Sequence, residues 1–235
     1  MGVSAFLIGL SKTGLPGIGI LAVVAVAAVI PARASTGLIL PMLIVADIFA
    51  VSHYHRHTAW KHLVRLLPCV VAGVVLGYLA MGRLSDDQVR RLIGGIVLGL
   101  LALNAWRTRT RSDDTAVPTA WWFPAGMGLL AGITTMLANA AGPIMIVYLL
   151  AMRLPKEEFV GTGAWYFLMV NCFKVPFSAH LGLITPASLN FNLVLLPLVI
   201  GGALAGIAVV KRLPEKQFNA IIQVLALAGA IFLLI

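Results

Sequence analysis

A break in a hydrophobic segment near the N-terminus constrains this chain more than any other feature. Residues 3–30 are apolar apart from residues 11–19, which read Ser-Lys-Thr-Gly-Leu-Pro-Gly-Ile-Gly. Glycine and proline interrupt a helix, and unpaired backbone at membrane depth is tolerated only where protein buries it or a watery cavity solvates it. Lys12 lies inside the break, and charged residues within a membrane usually mark functional sites. The break therefore predicts a site deep inside a membrane protein.

The composition agrees with a membrane protein. Of the 235 residues, 60% are hydrophobic and only 11% are charged. Apolar runs of about 20 residues, the length that crosses a bilayer as a helix, recur along the whole chain. The net charge of +9 does not indicate nucleic acid, because the 17 Lys and Arg residues are spread over the joints between apolar runs. We therefore expect the lipid bilayer, and no nucleic acid, as a partner.

The second half of the chain repeats the first. Asn171 follows Asp47 at an offset of 124 residues, and Gly132 and Gly142 have the spacing of Gly9 and Gly19. Six identities recur at an offset of 129 residues: Pro68, Gly73, Gly77, Arg83, Leu84 and Gln88 return as Pro197, Gly202, Gly206, Arg212, Leu213 and Gln217. Such self-similarity indicates duplication. We predict an all-α polytopic membrane protein with two homologous repeats, residues 1–112 and 121–235, connected by a joint at 113–120.

Each predicted repeat contains a broken helical hairpin followed by three transmembrane helices. In the first repeat the half-helices are residues 3–12 and 18–30, and the spans begin near residues 35, 63 and 89; the second break is expected at Thr134–Pro143. If each broken segment enters and leaves by one face, eleven Lys and Arg lie on one side of the membrane and four on the other. If each crosses, the counts are six and nine. The positive-inside rule favours the first arrangement, in which three spans per repeat make the repeats inverted. Eight crossings remain the alternative.

The order of these motifs resembles the sulfite exporter TauE/SafE family of membrane permeases. The resemblance rests on the glycine-rich break, the polar residue in the next span, the Arg-Leu-(Ser/Pro)-acidic joint and the occurrence of all three in both halves. It covers essentially the whole chain. It implies a permease, not an enzyme, of the bacterial inner membrane that moves sulfite, organosulfonates or related sulfur-containing anions.

The breaks are predicted to form an anion site. A helix that begins inside the membrane presents free backbone N–H groups and a positive dipole end, which favour anions. Two lysines against one aspartate, Asp47, leave an excess positive charge. We expect Asp47 to be the proton-coupling group or to pair with a lysine. The predicted substrate-binding residues are Ser11, Lys12, Thr13, Gly14, Gly17, Gly19, Thr134, Thr135, Asn139, Gly142, Asn171 and Lys174.

Simpler interpretations remain open for several of these residues. The glycines at the breaks can serve only helix packing, and Lys174, near the end of its span, can extend to the membrane interface. No Gly-x-x-x-x-Gly-Lys-(Ser/Thr) loop is present, so any active transport would be gradient-driven, by alternating access. We expect no cofactor, and the sequence leaves a homo-oligomer open.

Two other functions compete with anion transport. His53, His55, His57 and His62 raise the possibility of a divalent metal-cation transporter, but three Lys and Arg in the same joint make a cation site unfavourable. An intramembrane enzyme or assembly factor would need paired acids, a metal cluster or a nucleophile with its base, and Asp47 is the only acidic residue in the apolar segments. We expect neither a metal site nor catalysis.

Overall fold

The computed structural model describes residues 1–19, 22, 26, 30, 32–81, 83, 85, 87, 88, 95, 99 and 120–234. Most of the predicted half-helix at 18–30, most of the span beginning near residue 89 and most of the joint at 113–120 lie outside these residues. The described part of the chain is helical. Its helices are α1 (Gly2–Thr13), α2 (Ala32–Tyr54), α3 (Trp60–Ala80), α4 (Trp122–Ala138), α5 (Gly142–Ala151), α6 (Lys156–His180), α7 (Pro186–Arg212) and α8 (Glu215–Leu234).

Three of these helices, α2, α3 and α7, are long and apolar enough to cross a membrane. The shorter helices α4 and α5 are also apolar. Their side chains, with those of α3 and α6, form much of the largest buried cluster. These helices agree with a polytopic membrane protein.

Both breaks begin later than predicted. The helices continue through Thr13 and through Ala138, so the expectation that the second break starts at Thr134 was wrong. The two threonines lie inside their helices and bond within them. The hydroxyl of Thr13 donates to the carbonyl of Gly9 and that of Thr134 to the carbonyl of Leu130, each four residues earlier in its own helix. A threonine bonded in this way fits a helix interior.

Helices α4 and α5 fold back on each other. Asn139 ends α4 in the left-handed conformation, at φ 52°. The rings of Phe123, at the start of α4, and Tyr148, near the end of α5, are stacked with centroids 5.9 Å apart. Tyr148 also donates a hydrogen bond of 3.2 Å to the carbonyl of His62 at the start of α3. The hairpin therefore begins and ends at the same end of the helix bundle.

Glycines allow two close parallel helix pairs, α3 with α4 and α1 with α7. A Cβ added at Gly73 would overlap the carbonyl oxygen of Leu129, and one added at Gly202 would overlap that of Phe6. In the predicted repeats Gly73 corresponds to Gly202, and Phe6 corresponds to Leu129. Each contact therefore joins a glycine of one repeat to the corresponding backbone position of the other. Small residues let membrane helices approach this closely.

Helices α2 and α6 run antiparallel. Near the start of α2, Gly37 packs against the carbonyl of Leu183, just beyond the end of α6. Near the start of α6, Gly161 packs against the carbonyl of His57, just beyond the end of α2. These helices hold corresponding positions in the two predicted repeats. Two repeats of opposite orientation would place them in opposite directions in this way.

One end of the bundle is strongly basic. Lys156, at the start of α6, donates hydrogen bonds of 3.1 and 2.9 Å to the carbonyls of Val210 and Leu213 at the end of α7. The joint after α2 reaches the same region, where His57 and Glu157 form an ion pair of 3.1 Å. The described Lys and Arg residues at this end are Arg56, Lys61, Arg65, Arg153, Lys156, Lys211, Arg212 and Lys216.

We predict that Gly73→Ala lowers the unfolding temperature, because the new methyl group would force α3 away from α4. Overpacking of this kind costs about 1–3 kcal/mol. Gly201→Ala is the matched control, since a Cβ at Gly201 meets nothing within 4 Å. Thermal unfolding of the purified protein, followed by tryptophan fluorescence, measures both. Equal unfolding temperatures for the two variants would contradict the proposed role of Gly73 in packing.

Candidate functional site

The two breaks meet at one internal cavity. It holds about 70 Å³, enough for several water molecules or one small solute. Eight of the predicted site residues line it, namely Ser11, Lys12, Gly17, Gly19, Thr135, Asn139, Gly142 and Asn171. Residues from both halves of the chain, more than 100 positions apart in sequence, therefore share one space.

A buried cluster centred on Asp47 forms one side of the site. The Lys12 ammonium lies 3.0 Å from Asp47 Oδ1, and the Asn171 amide donates a hydrogen bond of 2.7 Å to Asp47 Oδ2. The Asp47 side chain is fully buried, whereas Lys12 is 10% exposed. Both oxygens of the carboxylate are thus engaged, one by a charge and one by a neutral donor. Of the two roles considered for Asp47, an ion pair with a lysine and proton coupling, the structure contains the ion pair.

A second cluster surrounds Lys174. Its ammonium group donates hydrogen bonds to Asn139 Oδ1 and, at 3.2 Å, to Thr135 Oγ1. Lys174 is only 1% exposed, so the interpretation in which it extends to the membrane interface was wrong. The Asn139 amide in turn donates 3.0 Å to the carbonyl of Thr36. Asn139 therefore connects the second break to the start of α2.

The two lysines differ in their electrostatic surroundings. Lys12 has a carboxylate partner, while the acceptors found for Lys174 are an amide oxygen and a hydroxyl oxygen. In the part of the chain that the structure describes, the salt bridges found are Lys12–Asp47 and His57–Glu157, so Lys174 has no carboxylate at ion-pair distance there. The cluster carries one positive charge in excess when all three groups are ionised.

The beginning of α5 faces the cavity. Ala140, Gly142 and Pro143 line it, and α5 starts at Gly142 with proline in its first turn. The first backbone N–H groups of a helix have no partner within that helix, and its N-terminal end carries a partial positive charge. This end of α5 adds a second source of positive potential.

The first break also turns sharply beside the cavity. Gly17 has a φ of 109°, a conformation that residues with a Cβ rarely adopt. A Cβ added at Gly19 would meet the Ser11 hydroxyl at 2.6 Å, so the chain reverses between these two residues. Glycine is thus required at position 17 for its backbone conformation, beyond simple packing between helices.

Four predicted residues are not among those that line the cavity: Lys174, which lies behind its wall, and Thr13, Gly14 and Thr134. Thr13 donates a hydrogen bond of 2.6 Å to the carbonyl of Ala203, and Gly14 packs against Gly206, so both contact α7. Thr134 bonds to backbone carbonyls of its own helix. For Gly14, the packing interpretation describes the contacts better than a ligand-binding role does.

Sequence reasoning missed the aromatic wall of the cavity. Phe167 lines it, and the Lys12 ammonium lies 3.6 Å from the centre of the Phe167 ring. The attraction between a cation and an aromatic face helps to hold Lys12 in place. Helical spacing contained a signal, because Phe167 precedes Asn171 by four residues and so shares its face of α6.

The histidines near the end of α2 do not come together as a set of metal ligands in the part of the chain that the structure describes. Within the described ranges, no group of three or more His, Cys, Asp or Glu side chains has a geometry suited to a metal ion. The sequence joint has no acidic residue of its own, yet the fold brings Glu157 from α6 to His57. His57 and Glu157 are 100 positions apart in the sequence, so this contact could not be predicted from the order of the residues.

Comparison with known proteins identifies the family. The model of the sulfite exporter TauE/SafE family matches residues 1–233. The chain belongs to this family. It is also similar to the probable inner membrane transporter protein TsaS of Comamonas testosteroni, with 25% identity over 181 residues that cover 76% of this chain and 73% of the relative. No solved structure matches it. The resemblance predicted from the order of the motifs is confirmed, and the chain is a membrane transporter of the TauE/SafE type.

We predict that Asn171→Leu destabilises the protein. The substitution removes the donor to Asp47 Oδ2 and leaves that buried oxygen without a partner, which costs about 1–3 kcal/mol. Cys172→Ala is the control, because Cys172 is the next residue and is exposed. Thermal unfolding in detergent compares the two variants. If Asn171→Leu unfolds at the wild-type temperature, the hydrogen bond to Asp47 contributes nothing to stability.

Proposed function

We propose that this protein is a permease that moves a small sulfur-containing or organic anion, such as a sulfite or sulfonate, through the cavity between the two breaks. One observation carries the proposal. Segments from both halves of the chain line a single buried space, beside two lysines and one aspartate. A site with an excess of positive charge and a helix N-terminus favours an anion over a metal cation.

The substrate residues we propose are those that line the cavity or bond directly to its wall. The Lys12 ammonium lies at the lining, and the Lys174 ammonium lies behind it, bonded to Thr135 and Asn139. Asn139, Asn171, Ser11 and Thr135 supply neutral hydrogen-bonding groups. In a site of low dielectric constant such groups interact strongly with an ion that has lost its water.

Several contacts support inverted repeats and alternating access. The antiparallel pair of α2 and α6 is what two inverted repeats produce, since these helices correspond to each other in sequence. The fold-back of α4 on α5 supports a hairpin that enters and leaves by one face. In transporters with inverted repeats, rocking of one unit against the other exposes the central site to each side in turn.

We further propose an inner-membrane location with the basic end in the cytoplasm. The TsaS relative carries the name of an inner membrane transporter. The eight described Lys and Arg at the basic end agree with the eleven expected on the cytoplasmic side from the same-face arrangement. The three expected cytoplasmic residues that remain, Arg107, Arg109 and Arg111, lie outside the described residues.

Asp47 is the proposed coupling group. It is the fully buried carboxylate beside Lys12, a lysine that lines the cavity. Asp47 is ionised and paired with Lys12 while the anion is bound. Proton movement through Asp47, driven by a gradient, would belong to the empty site.

We predict that Lys174→Gln reduces anion uptake by at least about tenfold, because it removes the excess positive charge from a site of low dielectric constant. Uptake of radiolabelled sulfite or methanesulfonate into proteoliposomes measures the effect. Lys216→Gln is the control, since Lys216 is exposed at the basic end of the bundle. Uptake at the wild-type rate by folded Lys174→Gln protein would remove Lys174 from the mechanism.

We also predict that the joints after α2 and after α6 lie on opposite sides of the membrane. The experiment places single cysteines at His55 and at Ala187 in a background with Cys69→Ala and Cys172→Ala. A membrane-impermeant maleimide should label Ala187→Cys in spheroplasts and should label His55→Cys only after lysis. Labelling of both cysteines from the same side would exclude inverted repeats.

A further inference from the structure

We propose that the cavity is matched in charge to a monovalent anion, and that Asp47 sets this valence. The inference rests on the proposed anion transport and specifies the substrate class. Its basis is the number of charges in the protein interior, together with the partners that each charged group has already engaged.

The charges in the interior are few enough to count. Asp47 is the acidic residue of the apolar segments, whereas Asp86, Asp87, Asp113, Asp114, Glu157, Glu158 and Glu215 lie in or beside the polar joints. Lys12, at the cavity lining, and Lys174, which is buried, are the corresponding cations among the described side chains. Residues 18–31, most of which lie outside the described residues, contain no charged side chain. In the part of the chain whose side chains the structure describes, the interior thus holds two positive charges and one negative charge.

The contacts show which charge is already balanced. Lys12 and Asp47 form an ion pair of 3.0 Å, and the second Asp47 oxygen accepts a hydrogen bond from Asn171. Lys174 donates to Thr135 and Asn139, whose oxygens bring no charge. Both of these neutral residues line the cavity. The Lys174 ammonium, whose charge has no carboxylate partner among the described residues, therefore contacts the two lining residues that a substrate would touch.

A single negative charge in the cavity makes the interior neutral. A dianion would leave one negative charge without a partner, and unpaired charge in a buried site of low dielectric constant is strongly unfavourable. The chemistry therefore favours anions with one charge: organosulfonates, carboxylates and the singly protonated form of sulfite. Sulfate, thiosulfate and fully ionised sulfite are disfavoured.

Methanesulfonate and sulfate provide the test, because both are small and tetrahedral and they differ by one unit of charge. Initial uptake of each radiolabelled anion into proteoliposomes, at equal subsaturating concentrations, measures the preference. We expect wild-type protein to favour methanesulfonate by at least about tenfold, since the unmatched charge costs at least about 1.4 kcal/mol. Asp47→Asn raises the interior charge to two and should shift the preference toward sulfate by a similar factor.

A double variant separates charge from the loss of the Asp47 carboxylate itself. Lys12→Met combined with Asp47→Asn removes both members of the ion pair and leaves Lys174 as the excess charge. We expect the ratio of methanesulfonate to sulfate uptake to return toward the wild-type value, whatever the absolute rate. A ratio that remains at the value of Asp47→Asn would show that the site does not select by its net charge.

The outcomes distinguish the two proposals. If wild-type protein neither transports nor is thermally stabilised by methanesulfonate, sulfate or sulfite, the proposed anion transport fails. If it transports these anions but prefers sulfate, or makes no distinction, anion transport stands and the monovalent preference is overturned. An unchanged ratio in folded Asp47→Asn protein excludes Asp47 as the residue that sets valence. If Asp47→Asn does not fold, the ratio of methanesulfonate to sulfate uptake in the wild-type protein and in the double variant still tests the monovalent preference.

Discussion

The ion pair between Lys12 and Asp47 is the interaction on which the interior of this protein depends. A charge buried away from water is costly, and each member of the pair reduces that cost for the other. The pair also joins α1 to α2, and Asn171 extends the connection to α6 in the other half of the chain. The two breaks are thereby held around one cavity. A packed hydrophobic contact in the same place would hold the helices but would offer nothing to a charged solute.

Glycine makes this arrangement sterically accessible. The pairs α1 with α7 and α3 with α4 approach so closely that side chains at Gly73 and Gly202 would overlap the facing backbone. In lipid, where the hydrophobic effect does not drive helices together, such close packing supplies much of the association energy. The short hairpin segments α1, α4 and α5 are therefore supported by long neighbours. Gly17 and Gly19 have a separate role, since they allow the chain to turn beside the cavity.

The unequal partners of the two lysines distinguish this site from a symmetric one. The repeats place Thr135 where the first half has Lys12, and Asn171 where the first half has Asp47. The second half instead carries Lys174, three positions after Asn171, on the same helix. Because the two halves face each other, the divergence yields an ion pair in one part of the site and an uncompensated ammonium group in the other. The excess positive charge of the site thus comes from positions at which the two predicted repeats differ.

The sequence by itself determined the class of protein, the family and the approximate positions of both breaks, because hydrophobic length, glycine and proline act locally. Eight of the twelve site residues that it predicted line the cavity. The sequence did not determine where each break starts, since Thr13 and Thr134, whose hydroxyls bond to carbonyls four residues earlier, lie inside α1 and α4 and not in the breaks. Only the tertiary structure decided which lysine pairs with Asp47, that Lys174 is buried, that Thr13 and Gly14 contact α7, and that Phe167 faces Lys12. These facts depend on contacts between residues far apart in the chain, which no local pattern encodes.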